Sequence, residues 1–329
     1  MAAGLVAAAL VVPLGSSASN NAVDGVRAEI KRGTLEVKSG DQDNAVAIRL
    51  KAGDPTRVQV DAGDDGTDDF SFVRGDVITI NVKTGDSDDS VRIDDANGVF
   101  TNTIPTTISG GDGDDSLTGG LVAGSGNETY RGGGGNDTVT GGRGNDTASL
   151  GDGNDTFVWN NGDGSDVIDG QDGTDTMVFN GAAGNEDATI RANGGRLTFF
   201  RVQGNVTMDT DGVEIVDFNA LGGIDNVTVN DLMGTDVTQT NLDLAGTLGG
   251  SVGDGAVDNV VVNGTNGVDT IDIAGSASRA DVTGLATTVS VEHPDPTDTL
   301  SVNTLAGADS VLVNGVAGVI KVVVDNAAV

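Results

Sequence analysis

Seven times between Gly110 and Val178, a nine-residue unit carries glycine in its fourth place and an acid in its sixth, followed by a short run with one inward side chain. This register leaves a chain few options. Glycine reaches positive φ without a Cβ clash, so the first part of each unit suits a tight turn, and what remains is long enough only for a short strand. The units Gly110 to Thr118, Gly132 to Thr140 and Gly141 to Ser149 are nearly ideal, and the others start at Ala123, Leu150, Asn161 and Gly170. One unit is thus a turn plus a strand, and two make one coil. The side chains expected inside are Leu117, Tyr130, Val139, Ala148, Phe157, Ile168 and Met177.

The sixth-place acids are Asp115, Glu128, Asp137, Asp146, Asp155, Asp166 and Asp175. Calcium takes roughly six to eight oxygens, a demand that backbone carbonyls and carboxylates from neighbouring turns can meet. Composition favours such a partner. Fifty acids against 17 Lys and Arg leave a formal charge of -33, which repels itself in a compact fold unless something positive is bound. With no cysteine, a metal here would be held by oxygen, which points to a hard cation. Nucleic acid is not an expected partner, because no basic stripe occurs.

The block resembles the RTX, or haemolysin-type, calcium-binding repeat, a parallel β-roll with calcium between turns stacked on the same side. The resemblance implies side-chain ligation by the seven sixth-place acids. It also implies carbonyl ligation from the second and fourth places, for example Gly111 and Gly113, Gly133 and Gly135, Gly142 and Gly144. Glu128 is longer than Asp, Gln171 replaces a glycine, and extra residues around Leu121 and Trp159-Asn160 break the spacing, so weaker sites are expected there.

Outside the block the fold class remains all-β: a β-roll or β-solenoid with flanking segments that read either as further solenoid or as β-sandwich. Over residues 21–109, Gly40, Gly63 and Gly85 recur at 23 and 22 residues, a period suited to one coil. Over residues 181–329, an Asp followed by alternating apolar residues recurs at Asp225, Asp258, Asp269, Asp298 and Asp309, and the 11-residue intervals suggest a half-coil. These aspartates, like Asp41, Asp64 and Asp86, read as turn-solvating residues rather than ligands. No helix is predicted.

Residues 1–20 combine an apolar stretch from Leu5 to Leu14 with a small-residue end, Gly15-Ser16-Ser17-Ala18, and predict an export signal. No other segment is long and apolar enough to span a bilayer. An extracellular or cell-surface location is therefore expected, with extracellular polysaccharide as a candidate partner. No enzyme is expected. Gly249-Gly250-Ser251-Val252-Gly253 fits a nucleophile elbow only as a string, and His293, the one histidine, cannot build a multi-histidine zinc site. The competing reading is a polysaccharide-active enzyme on a β-helix scaffold. The organisation expected is a signal over 1–20, a solenoid-like region over 21–109, the calcium-binding roll over 110–180 and a β-rich repeat region over 181–329.

Overall fold

A computed structural model describes residues 22–325, so the export signal expected over residues 1–20 lies outside the described residues. The chain winds into two 14-stranded sheets whose inward side chains form one continuous core. Within the repeat block it alternates between them. Thr106–Asp112, Thr129–Gly134, Thr147–Gly153 and Val167–Gly173 lie in the first sheet, and Ser116–Thr118, Thr138–Thr140, Thr156–Asn160 and Thr176–Asn180 in the second.

Within the block, neighbours in each sheet are parallel and in register. Tyr130 pairs with Ile108 and Ala148, and Val139 with Leu117 and Phe157. Every one of the seven expected interior side chains is buried. Burying a large apolar side chain contributes about 1.5–3 kcal/mol, so this ladder drives the winding while the glycine turns only permit it. The extra residues near Trp159 have a structural purpose. Leu117 is the only side chain its three-residue strand sends inward, whereas Thr156–Asn160 buries both Phe157 and Trp159. The roll therefore widens at this point. Trp159 stacks on Phe179 with ring centroids 3.8 Å apart, and Phe199 and Phe218 complete the cluster.

Both flanks extend the same two sheets and add antiparallel excursions to them. On the N-terminal side, Ala45–Lys51, Asp54–Ala62 and Phe70–Val73 form an antiparallel meander at the edge of the second sheet, fastened by the buried Arg49–Asp61 pair at 2.7 Å. This corrects the 22-residue period. Gly63 ends the middle strand of that meander, and the coil is closed instead by Gly40 and Gly85, whose turns lie one above the other. On the C-terminal side, antiparallel triplets interrupt each sheet once: Asp187–Asn193, Arg196–Arg201 and Val206–Asp211 in the first, and Thr270–Ser276, Arg279–Thr283 and Thr288–Glu292 in the second. The 11-residue interval from Asp258 to Asp269 carries the chain from the first sheet to the second. Among the described residues there is no α-helix, only single 3-10 turns at Arg74–Asp76 and Asp95–Asn97.

Candidate metal centre

The winding sorts the acids onto two edges. Asp115, Asp137, Asp155 and Asp175 close turns that lead from the first sheet into the second, whereas Glu128, Asp146 and Asp166 close turns that lead back. On each edge the acids form a ladder. Asp137 Oδ1 accepts the Asp115 N–H at 2.8 Å, Asp155 Oδ1 that of Asp137 at 2.7 Å, and Asp175 Oδ1 that of Asp155 at 2.8 Å. On the other edge, Asp146 Oδ1 accepts the Glu128 N–H at 2.6 Å and Asp166 Oδ1 that of Asp146 at 2.8 Å.

Each of these acids is buried, and each leaves an oxygen without a partner. The Oδ2 atoms of Asp115, Asp137, Asp146, Asp155, Asp166 and Asp175 and both oxygens of Glu128 accept no hydrogen bond. Among the described residues no Lys, Arg or His pairs with any of them. A buried carboxylate without a counter-charge is costly, so its proton affinity rises. Burial pushes Asp115, Glu128 and Asp166 up to about 7, and Asp137 and Asp175 to about 6. Asp146 is pushed up to about 9 by burial, with Asp166 and Glu128 adding repulsion from either side.

The glycines let successive turns approach closely. Gly111 and Gly113 adopt φ of 139° and 128°, which only glycine tolerates at low cost. The turns stack so closely that a Cβ at Gly133 would overlap the Gly111 carbonyl oxygen, and one at Gly135 that of Gly113. Gly144 packs in the same way against the Gly126 carbonyl and Gly142 against that of Gly120. At Gly132 both Asp137 Oδ2 and the Leu150 carbonyl oxygen crowd the place a Cβ would take, and carbonyl and free carboxylate oxygens together make an oxygen-only donor set with net negative charge, which fits a hard divalent cation such as calcium. Gln171 keeps a left-handed φ of 75° although it replaces a glycine, so the turn survives that departure.

The structure also corrects the reading of the C-terminal aspartates. Asp225, Asp258 and Asp298 are buried at 1%, 2% and 1% exposure and continue the ladder arrangement: Asp225 Oδ1 accepts the Glu186 N–H at 2.7 Å, Asp258 Oδ1 that of Asp225 at 2.8 Å, and Asp298 Oδ1 that of Asp258 at 3.0 Å. They cap backbone instead of facing solvent. Asp269 and Asp309 are joined likewise on the opposite edge. Asp41 and Asp86 are exposed as expected, while Asp64 is engaged by Arg92. The overlooked signal was spacing, since Gly223 and Asp225 repeat the fourth-place and sixth-place pair and Gly223 has φ of 128°.

At Glu186 the chain supplies its own cation. Arg201 donates to both Glu186 oxygens, at 2.5 and 2.6 Å, and its guanidinium also lies 5.6 Å from the centre of the Trp159 ring. His293 is half-buried, with Nδ1 2.9 Å from Asp243 Oδ1. Ser251 is exposed in a loop with no helix beside it, so the elbow-like string has no elbow. No helix among the described residues is long and apolar enough to cross a membrane.

Residues 106–121, 122–157 and 162–185 match the family described as the RTX calcium-binding nonapeptide repeat (4 copies). No curated protein and no solved structure matches the chain significantly.

Proposed function

We propose that calcium acts in this chain, which carries RTX-type calcium-binding repeats over residues 106–121, 122–157 and 162–185, as the structural counter-charge of an extracellular scaffold, with Asp115, Glu128, Asp137, Asp146, Asp155, Asp166 and Asp175 as side-chain ligands. The observation that carries this reading is the row of buried, unpartnered carboxylate oxygens on stacked turns. The carbonyls of the second-place and fourth-place glycines, among them Gly111, Gly113, Gly133, Gly135, Gly142 and Gly144, complete the donor set. Calcium held there supplies the positive charge that these carboxylates lack and ties each turn to the next. The chain itself orients the carboxylates through the N–H ladder and excludes side chains from the turns by means of glycine.

In this reading residues 110–180 are the calcium-dependent roll, residues 21–109 a solenoid-like region, residues 181–329 a β-rich repeat region, and residues 1–20 direct export. The biological role is structural or adhesive, with cell-surface or extracellular polysaccharide as the partner. Calorimetric titration of the purified chain with calcium, and separately with magnesium, tests the first part. Several calcium ions per chain with weak magnesium binding are expected, because magnesium demands a tight octahedron and sheds water reluctantly. Absence of calcium binding would overturn the proposal. Co-sedimentation with cell-envelope polysaccharide in calcium and in chelator tests the adhesive role, which fails if none is retained in either condition.

A further inference from the structure

The first-edge ladder does not stop where the repeat match begins at residue 106. One coil earlier, the turn Thr84-Gly85-Asp86-Ser87-Asp88-Asp89 lies against the turn of residues 110–115 in the same register as the matched turns: Gly85 pairs with Gly111 and Asp86 with Asp112, as Gly111 pairs with Gly133 and Asp112 with Gly134. The close approach is also repeated. A Cβ at Gly111 would overlap the Gly85 carbonyl oxygen, and one at Gly113 that of Ser87. Ser87, in the fourth place, holds φ of 82°, a positive φ where Gly113 and Gly135 hold the same place in the repeats. The fold thus imposes the repeat's turn on a sequence that lacks its fourth-place glycine.

The side chains follow. Asp115 Oδ1 accepts the Asp89 N–H at 2.8 Å, and Asp89 Oδ1 accepts the Asn44 N–H at 2.7 Å, so Asp89 occupies the sixth place of the ladder. In the fifth place, Asp88 Oδ1 accepts the Asp114 N–H at 2.8 Å, just as Asp114 accepts that of Asn136. Asp89 is 3% exposed, and its Oδ2 has no hydrogen-bond partner. The Thr84 hydroxyl lies beside it and donates to the Gly110 carbonyl at 3.0 Å. No cationic side chain among the described residues pairs with Asp89. One turn further out the sixth place is Asn44, whose amide carries no charge and donates to the Asp24 carbonyl at 2.7 Å, so the row of carboxylates ends at Asp89.

We propose that Asp89 gives its free carboxylate oxygen to a divalent-cation site between the turn of residues 84–89 and the turn of residues 110–115, an additional site outside the matched repeats. The site rests on the reading of the stacked turns as calcium-binding. It would fasten the N-terminal arm to the roll with the same ion that fastens the turns of the roll to one another.

Asp89→Asn is the test, since the amide keeps an acceptor for the Asn44 N–H while removing the charge. The exposed neighbour Asp86→Asn is the control. Calorimetry is expected to find one calcium fewer in Asp89→Asn than in the wild-type chain and an unchanged count in Asp86→Asn. An unchanged count in Asp89→Asn, with calcium still binding to the wild type, overturns this site alone, whereas no binding to the wild type overturns the general reading. Terbium-soaked crystals of the wild-type chain give a second measurement that needs no variant to fold. An anomalous peak beside Asp89 supports the site, and peaks beside Asp115 and Asp137 with none at Asp89 contradict it.

Discussion

Asp146 Oδ1 accepts the backbone N–H of Glu128 at 2.6 Å, while Asp146 Oδ2 is buried without a partner. One carboxylate therefore ties two turns together and still has an oxygen to give to an ion. Because Asp146 also donates its N–H to Asp166, it stands between the other two acids of its edge.

Replacing Asp146 is expected to affect two neighbouring calcium sites at once. Asp146→Ala should lower calcium stoichiometry and leave the Glu128 N–H without its acceptor, a loss of roughly 1–3 kcal/mol before any effect of the ion. Asp146→Asn keeps the acceptor and should lose only calcium. Calorimetric titration and urea melts of both variants check this, and full stoichiometry in either would remove Asp146 from the ligand set.

The calcium-free protein should have an inverted pH dependence. Its turn acids have folded-state pKa values raised by burial to about 6 (Asp137), 7 (Asp115) and 9 (Asp146), above the unfolded value of 3.8. The folded state then binds more protons than the unfolded one. This contribution to stability is fully present below about pH 4 and is lost as pH rises through about 6 to 9. Calcium affinity should move oppositely, because ligation needs the deprotonated carboxylates. Urea melts in chelator at pH 5.5 and pH 8.5 are expected to give a higher midpoint at the lower pH. A higher midpoint at pH 8.5 would show that these carboxylates are not buried as described.

Asp225 offers a test outside the repeats. Burial, with repulsion from Asp258, Glu186 and Asp254, pushes it up to about 7, and its Oδ2 has no partner. In chelator at pH 8.5, Asp225→Asn should raise the urea midpoint by removing an uncompensated charge while keeping an acceptor for the Glu186 N–H. Asp225→Ala should lower it by roughly 1–3 kcal/mol through loss of that acceptor. Equal, negligible effects would return Asp225 to the status of a solvated turn residue.

Arg201 supplies Glu186 with the counter-charge that the other turn acids lack. Glu186 is fully buried and both its oxygens rely on this guanidinium, so Arg201→Met should destabilise the chain by roughly 3–5 kcal/mol. Unlike the Asp146 variants, it should do so to a similar extent with calcium and with chelator. A loss that calcium restores would indicate that the ion can take the place of Arg201.

These contrasts show what the amino-acid order made legible. In the repeats, turn chemistry and strand pattern are written in the same nine residues, so the seven acids and the inward row from Leu117 to Met177 could be read directly. The antiparallel meander of Ala45–Lys51, Asp54–Ala62 and Phe70–Val73 could not, because a period of two has the same appearance in parallel and antiparallel strands. Gly63 therefore passed for a coil turn. Asp225 is ambiguous for a related reason: an aspartate two residues after a glycine looks alike in sequence whether it faces solvent or caps the neighbouring turn. The pairing of Arg201 with Glu186 depends on how the antiparallel triplet of the first sheet lies in three dimensions, and no local pattern encodes it.

The most direct test of the account is thermal unfolding followed by far-ultraviolet circular dichroism, in millimolar calcium and in excess chelator. Each site held at one hundred times its dissociation constant stabilises the folded state by about 2.7 kcal/mol, so several sites should raise the melting temperature well beyond the reach of a single surface interaction. A higher melting temperature in calcium and reduced strand content in chelator are expected. Identical spectra and identical melting temperatures in the two conditions would contradict the account.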